Sequence, residues 1–394
     1  MDHHAYRTAL TESSAGSERF FPPGEFTARR RRVAEAMDDR ALDALLITDP
    51  ASIHYLTGYK TFEVSVHTAL VFRADHCFLQ VPSIETGPAV TTAWVDEIDG
   101  YQWEDVTSVT GPLVAQLQDC RRVGMDPWSA GLRWGVMNEL TTRLGADRFR
   151  DCGDLMASVR LIKTDAEIQC LRDSARITEA GLEAAIAMVR PGVYENDIAA
   201  AGAHTMLAAG SEFMSMQPIV TSGPRISVIH LNHQQRLIQP GDPVFLEFGA
   251  VCQRYTAPMM RTVVAGAPTA DMLMVRDTCR RMHDALVHNM RPGNRFDDAA
   301  RSAEQALAPL AGEAFFSGVF GYSVGTQFPP SWVEGIGYIA RGQQRVFTPG
   351  MVFHLPLCLR LPGRWGIGMS NTVLVGKHGA EPLTDNDWEL TNCS

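Results

Sequence analysis

Met188-Val189-Arg190-Pro191-Gly192 closes one long helical pattern and returns as Asn289-Met290-Arg291-Pro292-Gly293 at the end of another. This repetition decides the fold. Each copy opens a second, Ala-rich helix, at Asp197-Ile198-Ala199-Ala200 and at Asp298-Ala299-Ala300. Further on, Pro240-Gly241-Asp242-Pro243-Val244-Phe245-Leu246 is echoed by Pro349-Gly350-Met351-Val352-Phe353-His354-Leu355. Arg261-Thr262-Val263-Val264 then has its counterpart in Asn371-Thr372-Val373-Leu374-Val375. Two copies of helix–helix–strands predict a pseudo-twofold α+β domain with its site in the cleft between sheets, and two copies are too few for a solenoid.

Upstream of the repeat, Thr164-Asp165-Ala166-Glu167 is a capping box: the Thr hydroxyl accepts a first-turn N–H and the Glu reaches back. Ile168, Leu171, Ala175, Leu182, Ile186 and Val189 follow at helical spacing. The domain boundary falls just before this helix, giving domains over 1–157 and 158–394. In the first, the segment Ala41–Thr48 leads into a short apolar strand, and further strands at Thr68–Phe72, Cys77–Val81 and Arg122–Met125 alternate with helical segments. That alternation reads as a smaller α/β domain. Residues 1–20, rich in Ser, Thr and Gly with little period, read as irregular and mobile.

The 394 residues carry 35 Lys plus Arg against 45 Asp plus Glu, a net charge of −10. That balance argues against a nucleic-acid or anionic-membrane binder. The one basic cluster, Arg29-Arg30-Arg31-Arg32, reads as the solvated face of an N-terminal helix. No run of 18 or more apolar residues predicts a transmembrane helix, and MDHHAYRTAL lacks the apolar core of a signal peptide. The eight cysteines, at 77, 120, 152, 170, 252, 279, 358 and 393, form no C-x-x-C pair. They suggest neither a zinc site nor a disulfide framework, so a cytoplasmic, reduced protein is the simplest reading.

The order of motifs resembles the pita-bread family of methionine and proline aminopeptidases, prolidase, creatinase and ectoine hydrolase. The resemblance runs from about residue 26 to 385. Its marks are Arg160-Leu161-Ile162-Lys163-Thr164 with Glu167-Ile168, Arg190-Pro191-Gly192, Ser222-Gly223, His230, Gly241-Asp242 and Tyr255. Arg261-Thr262, Pro349-Gly350-Met351 and Gly379-Ala380-Glu381-Pro382-Leu383 complete them. The metallopeptidase branch binds two metal ions through two Asp, one His and two Glu. The matching positions here are Glu247, Pro258, Tyr322, Pro356 and Ser370 or its neighbour Asn371. One carboxylate cannot hold a dinuclear site, so the resemblance implies no metal and no other cofactor.

The wording of the motifs is nearest to ectoine hydrolase and creatinase, which cleave non-peptide C–N bonds without metal. Gly321-Tyr322-Ser323-Val324-Gly325, Phe328-Pro329-Pro330-Ser331-Trp332, Trp365-Gly366, Leu56-Thr57-Gly58-Tyr59 and Val66-His67 carry that comparison. The chain departs from it at Gly368 and Asn371, where acids are expected, at Met260 in place of a glutamate, and at Tyr322 in place of a histidine. Fewer acids make a poorer seat for a cationic guanidinium or amidinium.

Three catalytic candidates follow. His230 stands at the family's catalytic histidine, where an imidazole can deprotonate water and then protonate a leaving nitrogen. Glu247, in the apolar strand Val244-Phe245-Leu246-Glu247-Phe248, must be paired or protonated and can orient a substrate N–H. Tyr322 can donate to a developing oxyanion. His354, Met260, Trp332 and Trp365 are candidates for the substrate pocket, and His67 for reaching the pocket of a partner subunit in a homodimer. Each has a structural alternative: a surface histidine, a half-buried strand glutamate, a hydrogen-bonded core tyrosine, or plain core.

The reading is a metal-independent hydrolase of a small amide or cyclic amidine. It takes a small-molecule substrate, with no nucleic acid or membrane as partner. A lyase, cyclase or isomerase on the same scaffold, and a silent ligand-binding homologue, remain as alternatives. The substrate itself is not legible, because fold does not fix chemistry.

Overall fold

The computed structural model describes residues 1–393; Ser394, the last residue of the expected second domain, lies outside them. The chain divides into two compact units, Met1–Arg160 and Leu161–Ser394.

The first unit contains α1 (His3–Ser14), α2 (Pro23–Asp38), β1 (Ala44–Ile47), α3 (Pro50–Thr57), β2 (Ala69–Arg73), β3 (His76–Pro82) and α4 (Thr86–Thr92). It continues with β4 (Glu97–Tyr101), α5 (Thr110–Leu117), β5 (Val123–Met125), α6 (Trp134–Leu144), β6 (Phe149–Asp151) and α7 (Gly153–Arg160). The strands form one mixed sheet in the order β4-β3-β2-β1-β5-β6. β2 runs antiparallel to both β1 and β3, and the outer pairs are parallel. Both faces of the sheet are buried, under one apolar cluster with Val33, Ile53, Leu70 and Leu79 and another with Leu46, Val71, Leu113 and Leu140. Burial on both faces explains why these strands read as continuous apolar runs.

Two sequence expectations are overturned in this unit. Residues 1–20 are not irregular: His3–Ser14 is a helix whose first turn is capped by Asp2, its carboxylate accepting from the Ala5 N–H. Arg7 ties this helix to the sheet by donating to the Ile98 carbonyl at 2.5 Å. Low periodicity hid a helix held by its cap and by polar anchors. Nor is Arg29–Arg32 a solvated face. Arg29 is fully buried, donating to Glu25 at 2.8 Å and to the Tyr55 carbonyl at 3.2 Å, with its guanidinium over the Phe21 ring. Arg30 donates to the Leu56 carbonyl at 3.1 Å and Arg32 to that of Val159 at 2.5 Å. Four consecutive arginines cannot share one helix face, and here backbone carbonyls of neighbouring segments take up three of them.

The second unit opens with α8 (Asp165–Met188) and α9 (Glu195–Ala208), then β7 (Ile219–Ser222), β8 (Pro243–Phe248), β9 (Val251–Cys252), β10 (Tyr255–Thr256) and β11 (Met259–Val264). Its second half has α10 (Ala270–Asn289), α11 (Phe296–Leu307), β12 (Val319–Ser323), β13 (Ile339–Ala340), β14 (Val352–His354), β15 (Leu357–Leu361), β16 (Trp365–Met369), β17 (Thr372–Val375) and β18 (Ala380–Pro382). The helix pair and antiparallel strands occur twice, as the repeat predicts. β11-β8-β7 is the first sheet and β13-β12-β14-β17-β18 the second, with β15–β16 a separate ribbon.

The capping box forms: Thr164 accepts from the Glu167 N–H and Glu167 from the Thr164 N–H. Gly192 and Gly293, each after the repeated Arg-Pro, adopt φ of +84° and +90°, which lets the chain turn out of each long helix. On α8, Ser174 and Thr178 face inward and bond the backbone of residues 250 and 257, at 2.7 to 3.1 Å. These bonds fix the β8–β11 connection against the helix. Alternation along the strands then sorts the side chains. Val244, Leu246, Phe248, Met259 and Val263 belong to the cluster shared with α8 and α9. Phe245, Glu247 and Met260 take the opposite, inner face.

Candidate functional site

The inner face of the second unit is assembled from both halves of the repeat. Met260 lies directly opposite Glu247 in the β8–β11 register, with Ile219 of β7 on the other side of Glu247. Phe245 and Met260 pack with Ile226 and Cys358. Facing them, β16 alternates Gly366, Ile367, Gly368 and Met369, so that glycines point at β8 and larger residues point away. The space is needed: a Cβ at Gly368 would sit 2.4 Å from the Phe245 ring, and one at Gly366 would sit 3.1 Å from Arg360. Thr262 bonds Gly368 in both directions, at 2.8 and 3.0 Å, and so locks β11 to β16.

At the end of β16, Ser370 begins a polar chain. Its Oγ accepts from the Met260 N–H at 2.7 Å and lies 2.6 Å from His354 Nε2. His354 Nδ1 lies 2.8 Å from the Tyr322 hydroxyl, which also accepts from Trp332 Nε1–H at 3.0 Å. His354 is fully buried, and burial pushes its imidazole down to about 3, so the ring is neutral near pH 7. The neutral ring bridges the two hydroxyls in either tautomer: Ser370 donates to Nε2 while Nδ1–H donates to Tyr322, or Tyr322 donates to Nδ1 while Nε2–H donates to Ser370. In the first tautomer Tyr322 Oη accepts from two N–H groups, from His354 and Trp332, and has its own proton free to donate. Burial, reinforced by the nearby Glu247 charge, holds the phenol well above its ordinary range, so Tyr322 stays a donor.

Glu247 has its carboxyl pushed up to about 8 by burial, against the pull of the Arg360 guanidinium. At neutral pH the group is mostly the neutral acid, able to donate and accept at once. No hydrogen-bond partner of its side chain is found among the described residues, which leaves both oxygens for a ligand. Arg360 on β15 shares a face with Cys358, whose thiol burial raises to about 11.

The sequence-selected residues divide accordingly. Tyr322, His354, Trp332, Met260 and Glu247 are brought to one inner face. Trp365 is not: alternation along β16 turns it outward, beside Ile367 and Met369, to pack on the α10–α11 core. His230 is exposed, on a turn with φ +58°. Two residues on, Asn232 Oδ1 accepts from the Val220 N–H at 3.2 Å, which places this turn along β7, the strand bordering Glu247. His67 belongs to the first unit, where it is buried and lies 3.2 Å from Gln80. Ser370 and Arg360 were missed as working residues. The signal for Ser370 was the alternation Gly366, Gly368, Ser370, which aims its hydroxyl with the two glycines.

Residues 169–377 match the model of metallopeptidase family M24, and residues 29–162 match that of the creatinase/prolidase N-terminal domain. An uncharacterized hydrolase/peptidase of Sinorhizobium fredii is 28% identical over 94% of this chain and 97% of its own. The ectoine hydrolase of Halomonas elongata is 23% identical over 93% of this chain and 96% of its own. The crystal structure of the prolidase from Pyrococcus horikoshii superposes with a TM-score of 0.81 at 23% identity, covering 92% of this chain and 99% of that one. This likeness carries the fold: a creatinase-type N-terminal domain followed by a pita-bread domain.

A metallopeptidase family implies a metal, so the donor set matters. Among the described residues, no group of three or more His, Cys, Asp or Glu is placed to hold a metal ion. Around Glu247 stand a thioether, a phenol, a thiol that stays protonated and a guanidinium cation. Both ring nitrogens of the neutral His354 are engaged by Tyr322 and Ser370, so a single carboxyl remains, and these residues do not fit a divalent ion, which takes several carboxylate or imidazole ligands.

Proposed function

The chain belongs to metallopeptidase family M24, and from that premise we propose that it is a metal-independent hydrolase of a small, non-peptide C–N bond. An amide or a cyclic amidine is the substrate class. The observation that carries the reading is the buried Tyr322 hydroxyl, which accepts from Trp332 Nε1–H, lies 2.8 Å from His354 Nδ1 and stands beside Glu247; with the ring proton on Nδ1, the phenol's own proton is free for the substrate.

In this mechanism His230 takes a proton from water as the oxygen attacks the C–N carbon. The negative charge that develops on the substrate is met by Tyr322 O–H in a site whose donors are already oriented. For a buried oxyanion this replaces the stabilisation that a metal supplies elsewhere in such chemistry. The neutral Glu247 carboxyl orients the substrate, accepting from its N–H and donating to a neighbouring acceptor. The C–N bond then breaks and the nitrogen leaves with the proton held by His230. Arg360, on the same inner face, favours a substrate without net positive charge at that end. The protein works as a cytoplasmic homodimer in this reading, with the N-terminal unit helping to enclose a partner's site.

Turnover of amide, cyclic-amidine and guanidino compounds in oxygen-labelled water tests the proposal. One solvent oxygen in the product, lost in Tyr322→Phe and His230→Ala, is the expected result. A product without label points to lyase or isomerase chemistry and overturns it.

A further inference from the structure

The first unit contains a cavity of about 470 Å³, lined by His67, Tyr101 and Arg133 and walled by the apolar side chains of Val66, Trp103, Val109 and Val136. That volume suits a small organic molecule. Its polar end is built and incomplete. Gln80 is fully buried and its amide N–H groups donate to Asp99 at 2.9 Å and to the Val109 carbonyl at 3.0 Å. Those two acceptors fix the amide, so Gln80 Oε1 faces His67 Nε2 at 3.2 Å and Nε2 must carry the ring proton. Nδ1 is therefore a bare acceptor. It is buried with no hydrogen-bond partner among the described residues, on a residue only 6% exposed.

A buried acceptor without a donor is costly, and such groups mark places where a partner is absent. The imidazole does not relieve the cost by protonation: burial pushes it down to about 4, and the Arg133 charge works in the same direction. The backbone carbonyl of His67 is held by the Tyr101 hydroxyl at 2.9 Å, so the residue is fixed in place. Arg133 is exposed and anchored by donating to the Ser65 carbonyl. Its charge also acts on Tyr101, and it lines the same cavity. The other charge at this cavity, Glu139, is engaged by the Thr110 hydroxyl at 2.7 Å.

We propose that this cavity of the first unit is a ligand site. It takes a small carboxylic acid with an apolar ring or branched body and an O–H or N–H donor at the far end. The donor completes His67 Nδ1, the body lies against Trp103 and the valines, and the carboxylate meets Arg133.

The test uses the full-length protein and calorimetric titration with 4-hydroxyphenylacetate, which has a donor and a carboxylate at opposite ends of a ring. Saturable binding is expected, with phenylacetate, which lacks the donor, about tenfold weaker. Tyramine, with an ammonium in place of the carboxylate, is expected to bind weaker still. Arg133→Ala, at an exposed position, should weaken 4-hydroxyphenylacetate to the level of 4-hydroxybenzyl alcohol. Val136→Trp, which fills the cavity, should abolish binding. Absence of saturable binding in the low-millimolar range, equal affinity for the ring compounds with and without the donor, preference for tyramine, or binding that survives Val136→Trp would each overturn the proposal.

Discussion

Replacing Glu247 by Gln should reshape the pH dependence of stability. A carboxyl whose pKa rises from 4.5 to about 8 on folding holds its proton more tightly in the native than in the unfolded chain. Below pH 4.5 both states are protonated and the group makes no difference. As the pH rises above that value the unfolded state ionises first, so stability falls, and it goes on falling until the native group ionises near pH 8. At about 1.4 kcal/mol per pH unit, the shift corresponds to a loss of about 5 kcal/mol across this window, with about half of that observed if the site relaxes or admits water. Gln has nearly the same shape and cannot ionise. Urea or guanidinium unfolding of both proteins from pH 4 to 9 should therefore give similar stabilities at the acid end. The variant should then be the more stable by about 2–5 kcal/mol above pH 8. The reasoning is refuted if the two curves run parallel within about 0.5 kcal/mol over the whole range, since Glu247 would then be ionised or solvated in the native protein.

Other consequences follow from the same geometry. Tyr322→Phe should lower kcat by about 10²–10³, read by steady-state kinetics, because it removes the donor, and should cost about 1–3 kcal/mol of stability because the buried Trp332 N–H loses its acceptor. Ser370→Ala strips a partner from both His354 Nε2 and the Met260 N–H. It should cost about 1–3 kcal/mol in denaturant unfolding. Gly368→Ala forces a methyl to within 2.4 Å of the Phe245 ring. It should destabilise by about 1–3 kcal/mol and lower the melting temperature measurably.

The repeat was legible because helix stops and strand starts recur in the same order, and each recurring Gly is needed where the chain turns with positive φ. The inner-face residues Glu247, Tyr322 and His354 were legible from motif position. Their roles were not, because the spacing of His354 from Tyr322 in sequence says nothing of their facing each other across β12 and β14. Trp365 and Trp332 look alike as sequence. Strand alternation sends the first outward to the helices, whereas the second donates to Tyr322 at 3.0 Å. The arginine run failed as a sequence reading for a related reason: which backbone carbonyls stand near a helix depends on tertiary neighbours, and these decide whether a charge is solvated or buried. The empty acceptor on His67 was equally invisible, since it follows from how Gln80 is held.

The claim that this fold works here through a phenol donor rather than a metal is tested most directly by turnover after exhaustive chelation, with metal content measured on the same sample. The account predicts unchanged kcat with less than about one metal ion per ten chains, far below the two ions of a dinuclear hydrolase. Loss of activity on chelation that returns on adding a divalent ion would contradict it.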